Sequence, residues 1–167
     1  SRGLGDVYKR QFVNKLQMVF DEGLYDPANE PDIAYAHLFS YFKGEEWRTQ
    51  KETQRLLDKY FTTKPDGIPG NDDTGTMSAW AIFNMIGFYP DCPGLPEYTL
   101  TTPVFNKVTI RLDPKWYKEN ELVIESNRTG SETLYINKVL LDGKKFNKYR
   151  ITHDELVHGK RLIFDLK

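Results

Sequence analysis

The period of the hydrophobic pattern changes along the chain. Between residues 12 and about 90, apolar side chains recur at three- and four-residue spacing, as in helices that bury one face. Phe12, Leu16, Val19 and Phe20 share such a face, and Gly23 ends the segment. Asn29-Glu30-Pro31-Asp32 is a turn with helix-start chemistry, because a first helical turn has no use for the N–H that Pro31 lacks. Ile33, Ala36, His37 and Tyr41 lie along one side of the helix predicted next, and Gly44 closes it. Trp47 precedes a third helix over Thr49 to Phe61, with Thr53, Leu56, Leu57 and Tyr60 in period. After the turn Pro65-Asp66-Gly67, Asp73 or Thr74 caps a fourth, carrying Met77, Trp80, Ala81 and Asn84 on one side. Gly87 and Pro90 stop it.

Beyond Pro93-Gly94 the pattern shortens and alternates. Tyr98 to Leu100, Val104 to Leu112, Glu121 to Ser126, Thr133 to Leu141 and Arg161 to Leu166 predict strands, separated by turn residues. Val108, Ile110 and Leu112 share a face, as do Leu162, Phe164 and Leu166. Leu141-Asp142-Gly143-Lys144 is a strong hairpin signal.

The two textures predict an α+β fold, helical over 12–90 and an antiparallel, sandwich-like β lobe over 91–167. About four helices do not close a helical barrel, so further helices upstream are expected. The helical part should expose apolar surface where they would pack. Residues 1–11, SRGLGDVYKRQ, are basic and aperiodic. They are expected to be an adapter-derived or disordered leader outside the fold.

Composition narrows the class. The chain is 39% hydrophobic and 14% aromatic, as a packed domain requires. A net charge of -1 gives no electrostatic footprint for nucleic acid. No apolar run approaches the roughly 20 residues that span a bilayer, and no signal-peptide pattern opens the chain. Neither nucleic acid nor a membrane is therefore an expected partner. Cys92 is the single cysteine, which excludes an internal disulfide and a multi-cysteine zinc site. It sits among prolines as a passive thiol. His37, His153 and His158 lack metal-ligand spacing, and Ser78 lacks a Gly-x-Ser-x-Gly context. Trp47, Trp80, Phe83, Phe88 and Tyr89 are expected mostly in the core, although any exposed ring offers a stacking face for a sugar. Asn127-Arg128-Thr129 fits a glycosylation sequon, a short pattern that often arises by chance.

Polar chemistry concentrates in two short stretches. In Asn71-Asp72-Asp73-Thr74-Gly75, the commoner meaning is a turn and an acid-started helix. The same side chains supply the oxygen ligands of a hard cation, but without the twelve-residue calcium-loop spacing. A catalytic reading needs a second carboxylate across a cleft, because adjacent residues cannot form the two partners of an inverting pair. Asn29-Glu30-Pro31-Asp32 reads first as a helix start, and alternatively as an oxygen-rich loop end for sugar hydroxyls or a cation.

Around these stretches the chain resembles glycoside hydrolase family 92. The resemblance runs from Pro65-Asp66-Gly67-Ile68-Pro69 through Gly70-Asn71-Asp72-Asp73-Thr74-Gly75-Thr76-Met77-Ser78-Ala79-Trp80 to Gly87-Phe88-Tyr89-Pro90-Asp91-Cys92-Pro93-Gly94. Glu97-Tyr98, Thr102-Pro103-Val104-Phe105, Asn29-Glu30-Pro31 and Trp47-Arg48-Thr49-Gln50 add to it. Tyr149 to Leu156, followed by Gly159 and Leu162-Ile163-Phe164, is similar to a C-terminal hairpin of the family. The resemblance implies calcium-dependent, exo-acting α-mannosidases that invert the anomeric centre. It implies an N-terminal β-sandwich and an (α/α)6 barrel, with residues 12–90 as the last barrel helices and 91–167 as an appended β lobe. Asp73 then corresponds to the general base, with Asn71 or Asp72 orienting water or shaping a Ca2+ site. Glu30 and Asn29 correspond to sugar-binding positions, and Asn29, Asn71 and Asp72 are the candidate ligands of the ion. The substrate implied is a terminal α-mannoside of a glycan, met in the periplasm, at the cell surface or outside the cell.

Two departures matter. The family's general acid is a glutamate upstream of Asn-Glu-Pro, so this chain is expected to lack it and to be inactive alone, without the preceding sandwich and barrel helices. Many members carry histidine shortly after Glu-Pro, where this chain has Ile33-Ala34-Tyr35, which leaves linkage preference open. The alternative to an enzyme segment is a non-catalytic carbohydrate-binding or scaffold module.

Overall fold

The computed structural model describes residues 2–130 and 133–167, and the chain divides into two compact units, Ser1–Ser78 and Ala79–Lys167. The division falls inside a helix rather than at the change of texture near residue 90.

In the first unit, helix α1 spans Arg2–Asp21 and helix α2 spans Glu46–Tyr60. Residues 2–11 are the first half of α1, so the expectation of a disordered leader is corrected; Ser1 lies outside the described residues. Val13, Leu16 and Phe20 of α1 are buried, while Phe12 is exposed. Gly23 follows the helix with φ 69°, a left-handed conformation that glycine adopts without a Cβ penalty.

Between the two helices, Glu30–Tyr41 forms a 3₁₀ helix of 12 residues, where the sequence pattern predicts an ordinary helix. Pro31 sits in its first turn, as expected. Runs longer than three or four residues are uncommon in this tighter form, whose hydrogen bonds are poorer. Ile33, Ala36, His37 and Phe39 are buried, whereas Tyr41 is exposed, against expectation. Much of what α2 buries is polar: Thr49, Gln50, Glu52 and Thr53 accompany Leu56 and Leu57. Glu52 is satisfied by Gln17 Nε2 at 2.9 Å and by Arg55 at 3.2 Å, which ties α2 to α1. Tyr8, Met18, Leu24 and Trp47 leave apolar surface on this unit, as the sequence predicts.

Among the described residues, the second unit contains most of helix α3, Thr76–Ile86, and eight strands. They are β1 Phe88–Tyr89, β2 Glu97–Leu100, β3 Lys107–Arg111, β4 Glu121–Arg128, β5 Ile136–Leu141, β6 Lys144–Phe146, β7 Arg150–Thr152 and β8 Arg161–Leu166. A three-stranded sheet has the order β1-β2-β7, and a five-stranded sheet the order β3-β4-β8-β5-β6. Strand β8 pairs parallel with β4 and antiparallel with β5, so the larger sheet is mixed rather than wholly antiparallel as expected. A parallel pair needs a long crossover, and here β5, β6, β7 and a short helix lie between the partners. The Asp142-Gly143 turn joins β5 to β6 with φ 51° and 76°, as a two-residue hairpin demands.

Phe88, Leu100 and Ile151 from the smaller sheet join Leu122, Ile124, Val139, Leu162, Phe164 and Leu166 from the larger in one core cluster. Asp91 forms an ion pair with Arg150 at 2.7 Å and accepts a hydrogen bond from Thr99 Oγ1 at 2.8 Å. Trp80 and Phe88 are core, as expected.

The segment similar to a family hairpin takes a different form. Strand β7 pairs with β2, and helix α4, His153–His158, intervenes before β8. Thr152 and Glu155 form a reciprocal capping box at its start: Thr152 Oγ1 accepts the Glu155 N–H at 3.1 Å, and Glu155 accepts the Thr152 N–H at 3.0 Å. The Thr152 N–H first, and Lys148 second, hold the Glu155 carboxyl below its ordinary pKa. Its folded-state pKa is depressed, so the associated stabilisation is present at neutral pH and is lost as pH falls through the carboxylate range. Thr152→Ala should destabilise this unit by about 1 kcal/mol. Urea unfolding at neutral and acid pH checks both claims, and Glu155→Gln should flatten the acid part of the profile.

Candidate active site

The Asn71–Gly75 stretch is a strained loop rather than the first turn of a helix. Asp73 and Thr74 have φ 46° and 62°, and Gly75 follows at 95°. A β-branched residue in the left-handed region is rare and stores strain, on the order of 1–3 kcal/mol. The strain persists because the loop is closed from within. The Asp72 carbonyl accepts the N–H groups of Gly75 at 3.0 Å and Met77 at 3.2 Å. The Asp73 carbonyl accepts the Thr76 hydroxyl at 2.8 Å.

The cap is neither Asp73 nor Thr74, a correction to the expected helix start. Helix α3 begins at Thr76, and Asp72 Oδ1 accepts both the Ser78 N–H at 2.8 Å and the Ser78 hydroxyl at 2.7 Å. Ser78 therefore has a structural task, and one oxygen of Asp72 is committed to it. Asp73 is exposed, and among the described residues its carboxylate receives no hydrogen bond. The two adjacent acids have divided roles: Asp72 holds the backbone, and Asp73 is presented outward. Asn71 is exposed beside them.

The second stretch is stiffened by Asp32, for which the sequence predicts only a place in a helix start. Asp32 is buried, and its carboxylate accepts the Asp26 N–H at 3.1 Å and the Asn29 side-chain amide at 3.1 Å. Asp26 in turn accepts the Ala28 N–H at 2.9 Å. The Asn29 amide nitrogen thus faces Asp32, and its Oδ1 remains as an outward acceptor. Glu30 is exposed at the start of the 3₁₀ helix. The aspartate one residue past Glu-Pro was the available signal, but first-turn acids are too common to single out.

The residues that immediately precede the two stretches meet. Gly70, at φ 66°, lies against Ala28: a Cβ built on Gly70 would stand 2.8 Å from the Ala28 Cβ. The missing side chain of Gly70 is what allows the close approach. The loop carrying Asp73 and the loop carrying Asn29 and Glu30 meet at that point. The donors they present are oxygens, the chemistry that suits sugar hydroxyls and hard cations. Among the described residues no group of three or more His, Cys, Asp or Glu side chains converges to hold a metal ion, so amide and carbonyl oxygens would complete any shell. In the other unit His153 lies between Tyr98 and Tyr117, with Tyr98 Oη 2.8 Å from its Nδ1. Burial first, and Tyr117 second, raise the Tyr98 phenol above its ordinary pKa.

Oxygen donors on neighbouring loops suit a carbohydrate, and comparison with known proteins places the chain among the glycoside hydrolases. The family model of the glycosyl hydrolase family 92 catalytic domain matches residues 3–167, and the chain belongs to that family. The family 92 α-mannosidase BT3965 of Bacteroides thetaiotaomicron superposes with a TM-score of 0.86 at 32% identity, over 95% of this chain and 22% of that one. The inverting mannosidase BT2199 of the same organism gives 0.75 at 34% identity, over 90% of this chain and 20% of that one. A secreted glycosidase of Arthroderma benhamiae is 28% identical over 92% of this chain and 20% of its own length. The chain thus spans about a fifth of the length of these relatives. No helix among the described residues is long and apolar enough to cross a membrane.

Proposed function

We propose that this chain is the C-terminal part of an inverting, exo-acting α-mannosidase, with Asp73 as its general base. The observation that carries the reading is the meeting of the two acidic loops at Gly70 and Ala28, with the Asp73 carboxylate exposed and uncommitted.

Inversion is a single displacement. Water attacks the anomeric carbon, its proton passes to Asp73, the glycosidic bond breaks, and the leaving oxygen takes a proton from an acid on the opposite face. The strained backbone and the Asp72–Ser78 cap fix where the Asp73 carboxylate points. Glu30 and Asn29 bind the sugar beside the scissile bond. The acid partner belongs to a segment upstream of α1, as do the remaining helices of an (α/α)6 barrel and a β-sandwich domain, and without them this chain is inactive. The β lobe is appended to the barrel.

A calcium ion fits the oxygen chemistry of the loops, with Asn29 Oδ1, Asn71 and the second oxygen of Asp72 as the ligands this chain offers. When bound, it would hold adjacent sugar hydroxyls and favour ring distortion. The substrates are terminal α-mannosides of glycans, including N-glycans, met outside the cytoplasm; similarity to a secreted glycosidase supports that location.

The test is hydrolysis of an α-linked mannobiose by the full-length protein, followed by proton NMR. Release of β-mannose as the first product is expected, and a chelator should lower the rate at least tenfold. Release of α-mannose first, or no hydrolysis, overturns the reading.

A further inference from the structure

We infer that Gly70 is a positioning residue: its missing side chain sets how closely the Asp73 loop approaches the Asn29–Glu30 loop. The inference rests on the functional reading above and extends it to a residue that touches neither sugar nor water.

Three observations support it. A Cβ at Gly70 would meet three atoms of Ala28, at 2.8 Å from its Cβ, 3.1 Å from its Cα and 3.2 Å from its carbonyl oxygen. Two of those atoms are backbone, which cannot rotate aside as a flexible side chain would. Ala28 is also held in place, because its N–H is bonded to Asp26 and the Asp26 N–H to buried Asp32. The Ala28 side is therefore the stiffer one, and any added bulk displaces the loop of residues 70–75. That loop carries the base three residues on, and it is already in a strained conformation with little freedom to absorb the shift within itself. Misplacement by about 1 Å can reduce a rate on the order of a hundredfold.

The test uses the full-length enzyme and three variants. Gly70→Ala adds the clash, but it also places a Cβ at positive φ. Ala28→Val adds bulk from the opposite side with no such backbone strain. Gly70→Ala combined with Ala28→Gly removes the tightest of the contacts. Both single variants should lower kcat on α-mannobiose at least tenfold with KM changed less than threefold, and the double variant should recover a good part of the loss. Single variants with kcat within twofold of the parent overturn the inference. So does a double variant whose thermal midpoint recovers while kcat stays low.

Hydrogen exchange of the Gly75, Met77 and Ser78 amides, which donate to Asp72, reads the positioning without turnover. Exchange should be faster in both single variants, and unchanged exchange overturns the inference. A parent enzyme that cleaves no α-mannoside defeats the functional reading alone, and the exchange measurement still decides the role of Gly70.

Discussion

Asp73→Asn in the full-length enzyme should lower kcat on α-mannobiose by about a thousandfold while leaving stability unchanged. The activity loss follows from the general-base role proposed for the residue. An amide has no useful basicity, and a general base contributes typically 10²–10⁴-fold. The unchanged stability follows from the structure. Asp73 is exposed, and among the described residues its carboxylate accepts no hydrogen bond. What the loop takes from Asp73 is its carbonyl, which accepts the Thr76 hydroxyl, and asparagine retains that group. Asparagine is also among the residues that best tolerate φ 46°. The thermal midpoint should therefore stay with that of the parent, as for surface substitutions within about 0.5 kcal/mol.

Asp72→Ala should behave differently. Its carboxylate Oδ1 accepts the Ser78 N–H and hydroxyl, so removing that oxygen weakens the start of α3 by about 1 kcal/mol. Activity would fall through the loop rather than through proton transfer. Calorimetry beside initial rates separates the two. A stable Asp73→Asn variant with more than a tenth of parental kcat would remove Asp73 from the base position.

That contrast between neighbours was not legible in the sequence. Two adjacent aspartates before an amphipathic run offer several caps of equal merit, and only the backbone decides among them. The positive φ at Asp73 and Thr74 moves the helix start to Thr76, which hands the cap to Asp72. The meeting of the two acidic loops was hidden for another reason. Gly70 and Ala28 are far apart in the chain, and a close approach through a missing side chain leaves no hydrophobic or charge pattern.

Local periodicity was read more faithfully. The faces of α2 and α3, the hairpin at Asp142-Gly143, and β8 from Arg161 to Leu166 all follow from spacing and turn chemistry. The 3₁₀ form of Glu30–Tyr41 did not follow, because the same apolar spacing serves both helix types and the buried His37 and Asp32 obscure the face. The parallel β4–β8 pairing was likewise out of reach, because three strands and a helix separate the partners and alternation does not encode strand direction.

Phe164→Ala should destabilise the second unit by about 3–5 kcal/mol, a large fraction of the roughly 5–15 kcal/mol that holds an ordinary domain together. Strand β8 is central in the five-stranded sheet, with β4 on one side and β5 on the other. Phe164 pairs with Ser126 and Val139 across those ladders and is fully buried in the cluster shared by both sheets. Its ring tip reaches Gly87, where an added Cβ would lie 3.5 Å from Cζ. Gly87 is itself pinned at φ 114° between α3 and β1, so it is poorly placed to collapse into the space a lost ring leaves. A cavity that cannot close adds to the lost transfer free energy of the ring, which is why the upper part of the range is expected. Phe164→Leu fills most of that volume and should lose less than half as much. Urea unfolding followed by far-ultraviolet circular dichroism reads both values. Equal midpoints for the Ala and Leu variants would show that the site relaxes, and that Phe164 does not fix the junction of the two sheets.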